Sequence, residues 1–93
     1  MPKIKYNSEI EYEINKQGSK IYYKIGTDIF HRLDGPAVEC ANGYKAWIQN
    51  GQCHKIDGPA VEYADGTKEY WINNKYIDFT GTNEEWIIKN LLE

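Results

Sequence analysis

The sequence predicts a mainly β protein: an antiparallel β-meander of tandem hairpin repeats that ends in a capping α-helix. Three observations lead to this prediction. Residues 31–53 and 54–76 are two copies of one 23-residue unit, each opening on His-[Arg/Lys]-x-Asp-Gly-Pro-Ala-Val-Glu. Alternating apolar and polar residues precede the copies, and a capped helical segment follows them. A unit this short cannot bury an apolar face alone, so consecutive copies must pack on one another.

The segment 3–30 is interpreted as a degenerate first repeat. Its glycines, Gly18 and Gly26, keep the spacing that two glycines have in the next copy. Within 10–14, apolar residues alternate with glutamates, which is the period-two pattern of a strand with one wet face. A glycine turn then leads into a second alternating run at 21–25. This segment is therefore predicted to be a hairpin.

Each full copy, 31–53 and 54–78, is also predicted to be a hairpin. The Asp-Gly pair predicts a turn, because glycine tolerates positive φ and Asp accepts bonds from backbone amides. The following proline fixes φ and cannot donate to a ladder, so it should begin a strand. Sequential hairpins make a meander of about six to eight short strands. The predicted strands of the two copies are 36–40, 44–49, 59–63 and 67–73, with turns at 41–43 and 64–66.

The second copy differs in the position of its tryptophan. Trp47 lies four residues after Gly43. In the second copy Trp71 lies five residues after Gly66, and Tyr70 takes the equivalent position. One extra residue reverses every later side chain unless a bulge absorbs it. Two predictions are open: a bulge near residues 68–71, or Tyr70 in the core in place of the tryptophan.

Residues 82–92 predict a helix that caps the array. Thr82 and Glu85 have capping-box spacing, and acidic residues suit the positive end of a helix dipole. An apolar stripe at helical spacing follows, formed by Ile87, Ile88, Leu91 and Leu92. Two alternatives are open: the stripe covers the last hairpin, or it meets a partner or a second copy of the chain in a homodimer.

Composition and charge narrow the classes of function. The 93 residues make a single domain, 1–93, and their 41% hydrophobic fraction exceeds that of a disordered chain. A formal net charge of −3 gives no general field for phosphate backbones, so no nucleic-acid partner is expected. The sequence has no apolar run that spans a bilayer and no signal peptide at its start. We therefore expect no membrane association and a cytoplasmic location in the host cell.

Cysteine spacing predicts neither a metal site nor a cofactor. Cys40 and Cys53 are replaced by Tyr63 and Tyr76 in the second copy, so the repeat does not require thiols. They are expected to be reduced and structural, with a disulfide as the alternative. The two cysteines are not spaced as a CxxC pair, and the two histidines are not spaced as an HxxxH pair. A zinc site is therefore not predicted.

The repeated motif supplies the only recurrent pairs for acid and base chemistry. His31 with Asp34, and His54 with Asp57, have the residue types of a general base and its orienting carboxylate. A hydrolase that uses them is one hypothesis, but no nucleophile has matching spacing. The motif is therefore predicted to be a structural joint, in which His bonds across the hairpin link and Asp satisfies turn amides. The predicted structural residues are His31, Asp34, Gly35, Pro36, His54, Asp57, Gly58 and Pro59.

Charged and aromatic side chains are the candidates for partner binding. Arg32 and Lys55 are predicted to project together as a basic row, with two alternatives open: a solvated edge, or a site for an anionic ligand or the carboxylates of a partner. Glu39 and Glu62 are predicted to form an acidic stripe with the N-terminal glutamates, a feature that usually serves solubility. The tyrosines and tryptophans exceed what a thin array hides, and both residue types are favoured at interfaces. The predicted partner-binding residues are Tyr22, Tyr44, Tyr63, Trp71, Arg32, Lys55, Glu39 and Glu62.

The unit H-[RK]-x-D-G-P-A-V-E, followed by a glycine turn, an aromatic strand and Asn-Gly, resembles tandem repeats of small bacteriophage and bacterial proteins. These look like distant relatives of MORN repeats, and the resemblance covers roughly residues 18–78. It implies hairpin units that serve as binding surfaces rather than one activity, and the phage proteins resemble accessory factors that act on host machinery. The leading hypothesis is a non-enzymatic protein-binding module that inhibits or modulates a host defence complex, as an anti-CRISPR protein does. The alternative is an oligomeric sponge for a small anionic ligand such as a signalling nucleotide.

Overall fold

The computed structural model describes residues 2–92, with side chains up to residue 90. Eight strands form the main antiparallel sheet in the order β1-β2-β3-β4-β5-β8-β9-β10, and β6 pairs separately with β7. The elements are β1 Ile4–Lys5, β2 Ile10–Ile14, β3 Lys20–Lys24, β4 Val38–Glu39, β5 Lys45–Ala46, β6 Ile48–Gln49, β7 Gln52–Cys53, β8 Val61–Glu62, β9 Lys68–Ile72, β10 Lys75–Ile77 and α1 Asn83–Leu92. The predicted class, mainly β with antiparallel strands and a C-terminal helix, is confirmed.

The first long hairpin joins β2 to β3 with five residue pairs in register. Its turn is built by Asn15, whose side-chain oxygen accepts the N–H groups of Gln17 and Ser19, each at 3.0 Å. Gly18 adopts a φ of 82°, which disfavours any residue with a Cβ. The hairpin occupies the two alternating runs that precede the full copies.

A similar side-chain-supported turn occurs in both full copies. Tyr44 N–H donates to Asn42 Oδ1 at 3.0 Å, and Thr67 N–H donates to Asp65 Oδ1 at 2.9 Å. The glycine between them has a φ of 102° in the first copy and 91° in the second. Asn or Asp followed by Gly supplies both requirements of this turn, an accepting oxygen and freedom at positive φ. The turns predicted at 41–43 and 64–66 are therefore confirmed.

The two hairpins that follow the motifs pair in the same register. Val38 lies opposite Ala46 in β4 and β5, and Val61 lies opposite Glu69 in β8 and β9. No residue is inserted between these pairs, so the prediction of a bulge is wrong. Tyr70 is buried at the position equivalent to the tryptophan of the first copy, as the other open prediction stated.

One face of the sheet carries a row in which aromatic residues and alanines alternate. Tyr22 N–H donates to the carbonyl of Ala37 at 2.8 Å, and Trp47 N–H donates to that of Ala60 at 2.7 Å. Register continues the row to Tyr70. Both alanines are fully buried, because a methyl group leaves room for the large rings on either side. This row, the aromatic-alanine row, forms much of the core.

The helix covers the last hairpin through one tryptophan. Glu85 N–H donates to Thr82 Oγ1 at 3.1 Å, and Thr82 N–H donates back to the Glu85 carboxylate at 3.3 Å, which completes the predicted capping box. Trp86 is 1% exposed. Its ring centroid lies 4.6 Å from that of Tyr70 and 5.1 Å from that of Phe79. The indole therefore adds to the core over β9.

The helix contact differs from the apolar stripe that the sequence predicted. Ile88 is half-exposed, and the side chains of Leu91 and Leu92 lie outside the described residues. The ring that packs on Tyr70 is that of Trp86, which the predicted stripe did not include.

Candidate functional site

Each full copy begins with a histidine that makes the same backbone contact. Nδ1 of His31 accepts the N–H of Asn50 at 2.8 Å, and Nδ1 of His54 accepts the N–H of Asn73 at 3.0 Å. Both asparagines open a two-residue hairpin turn with positive φ, 52° and 48°. An accepting Nδ1 is unprotonated, so the neutral ring carries its proton on Nε2. Each imidazole thus joins the start of a copy to a turn nineteen residues later.

The first joint is the more buried of the two. His31 is 7% exposed, and burial together with the charge of Lys24 lowers its pKa, with Glu9 opposing. The next residue, Arg32, donates its N–H to the carbonyl of Ile48 at 3.0 Å, and the same bond recurs in the second copy at 3.2 Å. The joint therefore consists of the imidazole bond and the adjacent backbone bond. The imidazole bond requires a neutral ring.

The basic residue after the first histidine lies against the motif glycine. Arg32 pairs with Asp34 at 2.9 Å and with Glu39 at 3.0 Å, and its Cζ lies 4.1 Å from the centroid of the Tyr22 ring. A Cβ at Gly35 would lie 2.7 Å from Cζ of Arg32. A side chain at position 35 would therefore displace the guanidinium from its present place. Its φ is not positive, which differs from the Asp-Gly turn that the sequence predicted.

The second copy uses a lysine in the equivalent place. Lys55 Nζ lies 3.9 Å from the centroid of the Trp47 ring. A Cβ at Gly58 would lie 3.1 Å from Asn83 Oδ1 and 3.3 Å from Lys55 Nζ, and its φ is not positive either. Asn83 donates its amide to the carbonyl of Asp57 at 3.3 Å, which ties the helix to this loop. Within residues 2–90 Lys55 makes no ion pair shorter than 4.0 Å.

The motif prolines precede the short strands β4 and β8. Pro36 and Pro59 stand two residues before those strands, where no ladder N–H is required. The carbonyl of Pro36 accepts a bond from Arg32 Nη1 at 3.1 Å. This bond ties the motif loop to the beginning of the strand.

Arg32 and Lys55 do not form the predicted basic row. The Arg32 side chain is 13% exposed and already paired. Asp34 also accepts a bond from Tyr6 Oη at 2.7 Å, and the bonds from Tyr6 and Arg32 lower the pKa of Asp34. Asp34 therefore neutralises Arg32, whereas the sequence suggested that it satisfies turn amides or orients an imidazole.

Lysines interrupt the predicted acidic stripe. Glu39 lies opposite Lys20 and Lys45, while Glu62 lies opposite Lys45 and Lys68. Charges of opposite sign thus alternate across five neighbouring strands. Such cross-strand pairs contribute about 0.2–1 kcal/mol each. The two glutamates stabilise the sheet and do not form a surface of one charge.

A groove of about 550 Å³ separates the two motif loops. Leu33 and Asp34 line it from the first loop, Ile56 and Asp57 from the second, and Trp47 from the sheet. Leu33 is 63% exposed and Ile56 is 52% exposed. We call this feature the interloop groove. It presents two apolar side chains and two carboxylates to solvent.

The opposite face of the sheet carries a cluster of aromatic residues around Glu69. Glu69 and Trp71 alternate with the buried tyrosine of β9 and so point away from the aromatic-alanine row. Tyr63 Oη donates to Glu69 Oε2 and Trp71 Nε1 donates to Oε1, each at 3.0 Å. Ring centroids of Tyr44 and Tyr63 lie 5.5 Å apart, and those of Trp71 and Tyr76 lie 5.6 Å apart. We call these five residues the Glu69 cluster.

The predicted aromatic contact residues separate into two groups. Tyr44, Tyr63 and Trp71 come together in the Glu69 cluster. Tyr22 is 1% exposed beneath Arg32, so it offers no surface to a partner and belongs to the core.

Three residues of the candidate sites were not predicted from the sequence. Leu33 and Ile56 stand at the same motif position, and an apolar residue conserved between two copies in a polar loop was a usable signal. Glu69 had no such signal, because its bonds to Tyr63 and Trp71 depend on the register of β8 with β9.

Three further features of the described residues concern metal binding, the cysteines and membrane-spanning helices. Among these residues no group of three or more His, Cys, Asp or Glu side chains is placed to hold a metal ion. Cys40 and Cys53 are free thiols, and burial raises the pKa of Cys53. No helix within residues 2–92 has the length and apolar character needed to cross a membrane.

Comparisons of the chain with protein-family models, with curated proteins and with solved structures found no match.

Proposed function

We propose that this chain is a non-enzymatic protein-binding module whose partner binds in the interloop groove. In this proposal, residues 3–30, 31–53 and 54–78 are three tandem hairpin units of a MORN-like meander, and the helix over 82–92 caps the array. The bond from Asn50 to His31 and its counterpart 23 positions later support the tandem arrangement. Each added unit places another motif loop beside the previous one, and a groove lies between them.

The observation that carries the proposal is the exposure of Leu33 and Ile56 across one groove. Both are more than half exposed although the chain has a modest core. Full burial of such a side chain contributes about 1.5–3 kcal/mol, so a partner that covers both gains roughly half of that at each. Interfaces are commonly organised around apolar anchors with a polar rim, here supplied by Asp34 and Asp57.

The charges of the groove favour a polypeptide over a small anion. Arg32 is paired within its own loop, so it does not serve an anionic ligand. Asp34 is paired with Arg32, so the remaining charges of the groove are the Lys55 ammonium and the Asp57 carboxylate. An anionic nucleotide would meet one ammonium beside one carboxylate, and the sponge hypothesis loses the basic row that motivated it.

The resemblance to phage accessory proteins supports a host protein as the partner. A host defence complex, of the kind that anti-CRISPR proteins inhibit, is the first partner to test. The experiment is quantitative affinity capture from a bacterial extract with tagged wild-type chain and with the double variant Leu33→Ser, Ile56→Ser. We expect a prey protein that the wild type enriches and the double variant does not.

The matched control is a double variant of half-exposed isoleucines away from the groove, Ile14→Ser and Ile88→Ser. It removes a comparable amount of exposed apolar surface and should retain the prey. A photoreactive residue at position 33 should crosslink to the same prey, whereas one at position 14 should not. Equal loss of prey in both double variants, or retention in both, would contradict binding at the groove.

A further inference from the structure

We propose that the Glu69 cluster binds an arginine side chain of a partner protein. The cluster lies on the face of the sheet opposite the aromatic-alanine row, so this inference goes beyond the interloop groove and does not depend on it. Two features define the site: a carboxylate held by aromatic donors and exposed rings on either side of it.

The Glu69 carboxylate is oriented and still able to accept bonds. Tyr63 Oη and Trp71 Nε1 each donate to a different oxygen, so both oxygens are fixed in place. A carboxylate has about four lone-pair sites, which leaves one on each oxygen. Both donors are neutral, and within residues 2–90 no cationic side chain pairs with Glu69 within 4.0 Å. The site thus holds an uncompensated negative charge with an acceptor position left on each oxygen.

The rings around Glu69 suit a planar cation. Tyr76 is 53% exposed beside Trp71, and Tyr63 is exposed beside Tyr44. Aromatic faces attract cations, and a guanidinium stacks on them while it donates sideways. Its fork matches two carboxylate oxygens, whereas an ammonium is a single point charge. Arginine therefore uses both features of the site, and lysine uses only one.

The chain already contains this arrangement in its own core. Arg32 stacks on Tyr22 with Cζ 4.1 Å from the ring centroid and pairs with Glu39 at 3.0 Å. There the cation is Arg32, which belongs to the same chain. At the Glu69 cluster the carboxylate and the rings are present and the cation is not. The net charge of −3 assists the approach of a basic partner.

The test is a ¹H–¹⁵N NMR titration of the full chain with Nα-acetyl-arginine amide. The readout is the indole N–H resonance of Trp71, assigned by its loss in Trp71→Phe. We expect a saturable shift of this resonance with millimolar arginine amide and none with the citrulline amide, which is nearly isosteric and neutral. The lysine amide should bind more weakly.

Variants test whether the arginine amide binds at the Glu69 cluster. Glu69→Gln should weaken binding about tenfold, while Glu62→Gln, in the neighbouring strand with its side chain on the opposite face, should leave it unchanged. Tyr76→Ser removes a half-exposed ring without disturbing the core and should also weaken binding, which keeps the test decisive if Glu69→Gln unfolds. Leu33→Ser should have no effect. A Trp71 resonance that does not move, that moves equally with citrulline amide, or that responds equally to lysine amide would overturn the assignment to arginine.

Discussion

Protonation of His31 should destabilise the fold below neutral pH. Nδ1 of His31 accepts the N–H of Asn50 at 2.8 Å, which requires a neutral imidazole. The ring is 7% exposed, and burial lowers its pKa below that of a histidine in the unfolded chain. The unfolded state therefore binds the proton at a higher pH than the folded state does.

The sign and size of the effect follow from linkage. The stabilisation is fully present above the unfolded pKa of about 6.5, and it is lost as the pH falls toward the lower folded pKa. Loss of the Asn50 bond alone amounts to about 0.5–1.5 kcal/mol. The slope for one group cannot exceed about 1.4 kcal/mol per pH unit. The pKa of Asp34 is lowered, so its contribution is lost only as the pH falls below about 4, outside this window.

Urea unfolding followed by tryptophan fluorescence at several pH values between about 7.5 and 5 measures the effect. The comparison is His31→Asn, because the Asn oxygen accepts a bond near the position of Nδ1 but does not titrate. We expect the wild type to lose stability over this range and the variant to lose at least about 0.5 kcal/mol less. If both proteins lose the same stability, or if acidification stabilises the wild type, the neutral joint at His31 is not the cause.

Three further predictions concern stability and are measured by the same urea unfolding at pH 7. Trp86→Ala should cost about 3–5 kcal/mol, because it empties the space against Tyr70. Trp86→Phe should cost much less. Within residues 2–90 the buried indole N–H has no acceptor, and its removal relieves a penalty of about 1–3 kcal/mol. Equal losses of stability in the two variants would refute this reasoning. Arg32→Lys should cost about 1–2 kcal/mol, because an ammonium cannot bond both Asp34 and Glu39 as Nε and Nη1 do while it stacks on the Tyr22 ring; an unchanged midpoint would show that these contacts are not stabilising. Asn50→Ala should cost about 1–2 kcal/mol and Asn50→Gly clearly less, since only a residue with a Cβ is strained at a φ of 52°; a ranking with Ala above Gly would contradict the strain argument.

Much of the fold was predictable because local chemistry determines it. Asn42 and Asp65 supply both an accepting oxygen and a following glycine, so the turns could be located from sequence. The capping box of Thr82 and Glu85 was likewise visible in the spacing. These features involve residues within three positions of each other, and the surrounding fold has little influence on them.

The candidate sites were less predictable because they depend on which strands become neighbours. Glu39 and Glu62 looked like an acidic stripe until register placed lysines between them. Arg32 looked free until it proved to be paired in its own loop and stacked on Tyr22. The contacts of a long side chain depend on strand register and on the loops packed against the sheet. A single sequence does not contain that information.

Three rings of the aromatic-alanine row are each covered by a side chain from a later segment of the chain. Arg32 lies 4.1 Å from the Tyr22 ring centroid and Lys55 lies 3.9 Å from that of Trp47, so each of these rings is covered by the basic residue of the motif that follows it. After Tyr70 the chain has no such motif, and Trp86 covers the ring at 4.6 Å instead. The indole thus takes the place over Tyr70 that the basic residues of the motifs take over Tyr22 and Trp47. The two basic residues that cover Tyr22 and Trp47 belong to the two motif loops, and the interloop groove, lined by both Leu33 and Ile56, lies between those loops.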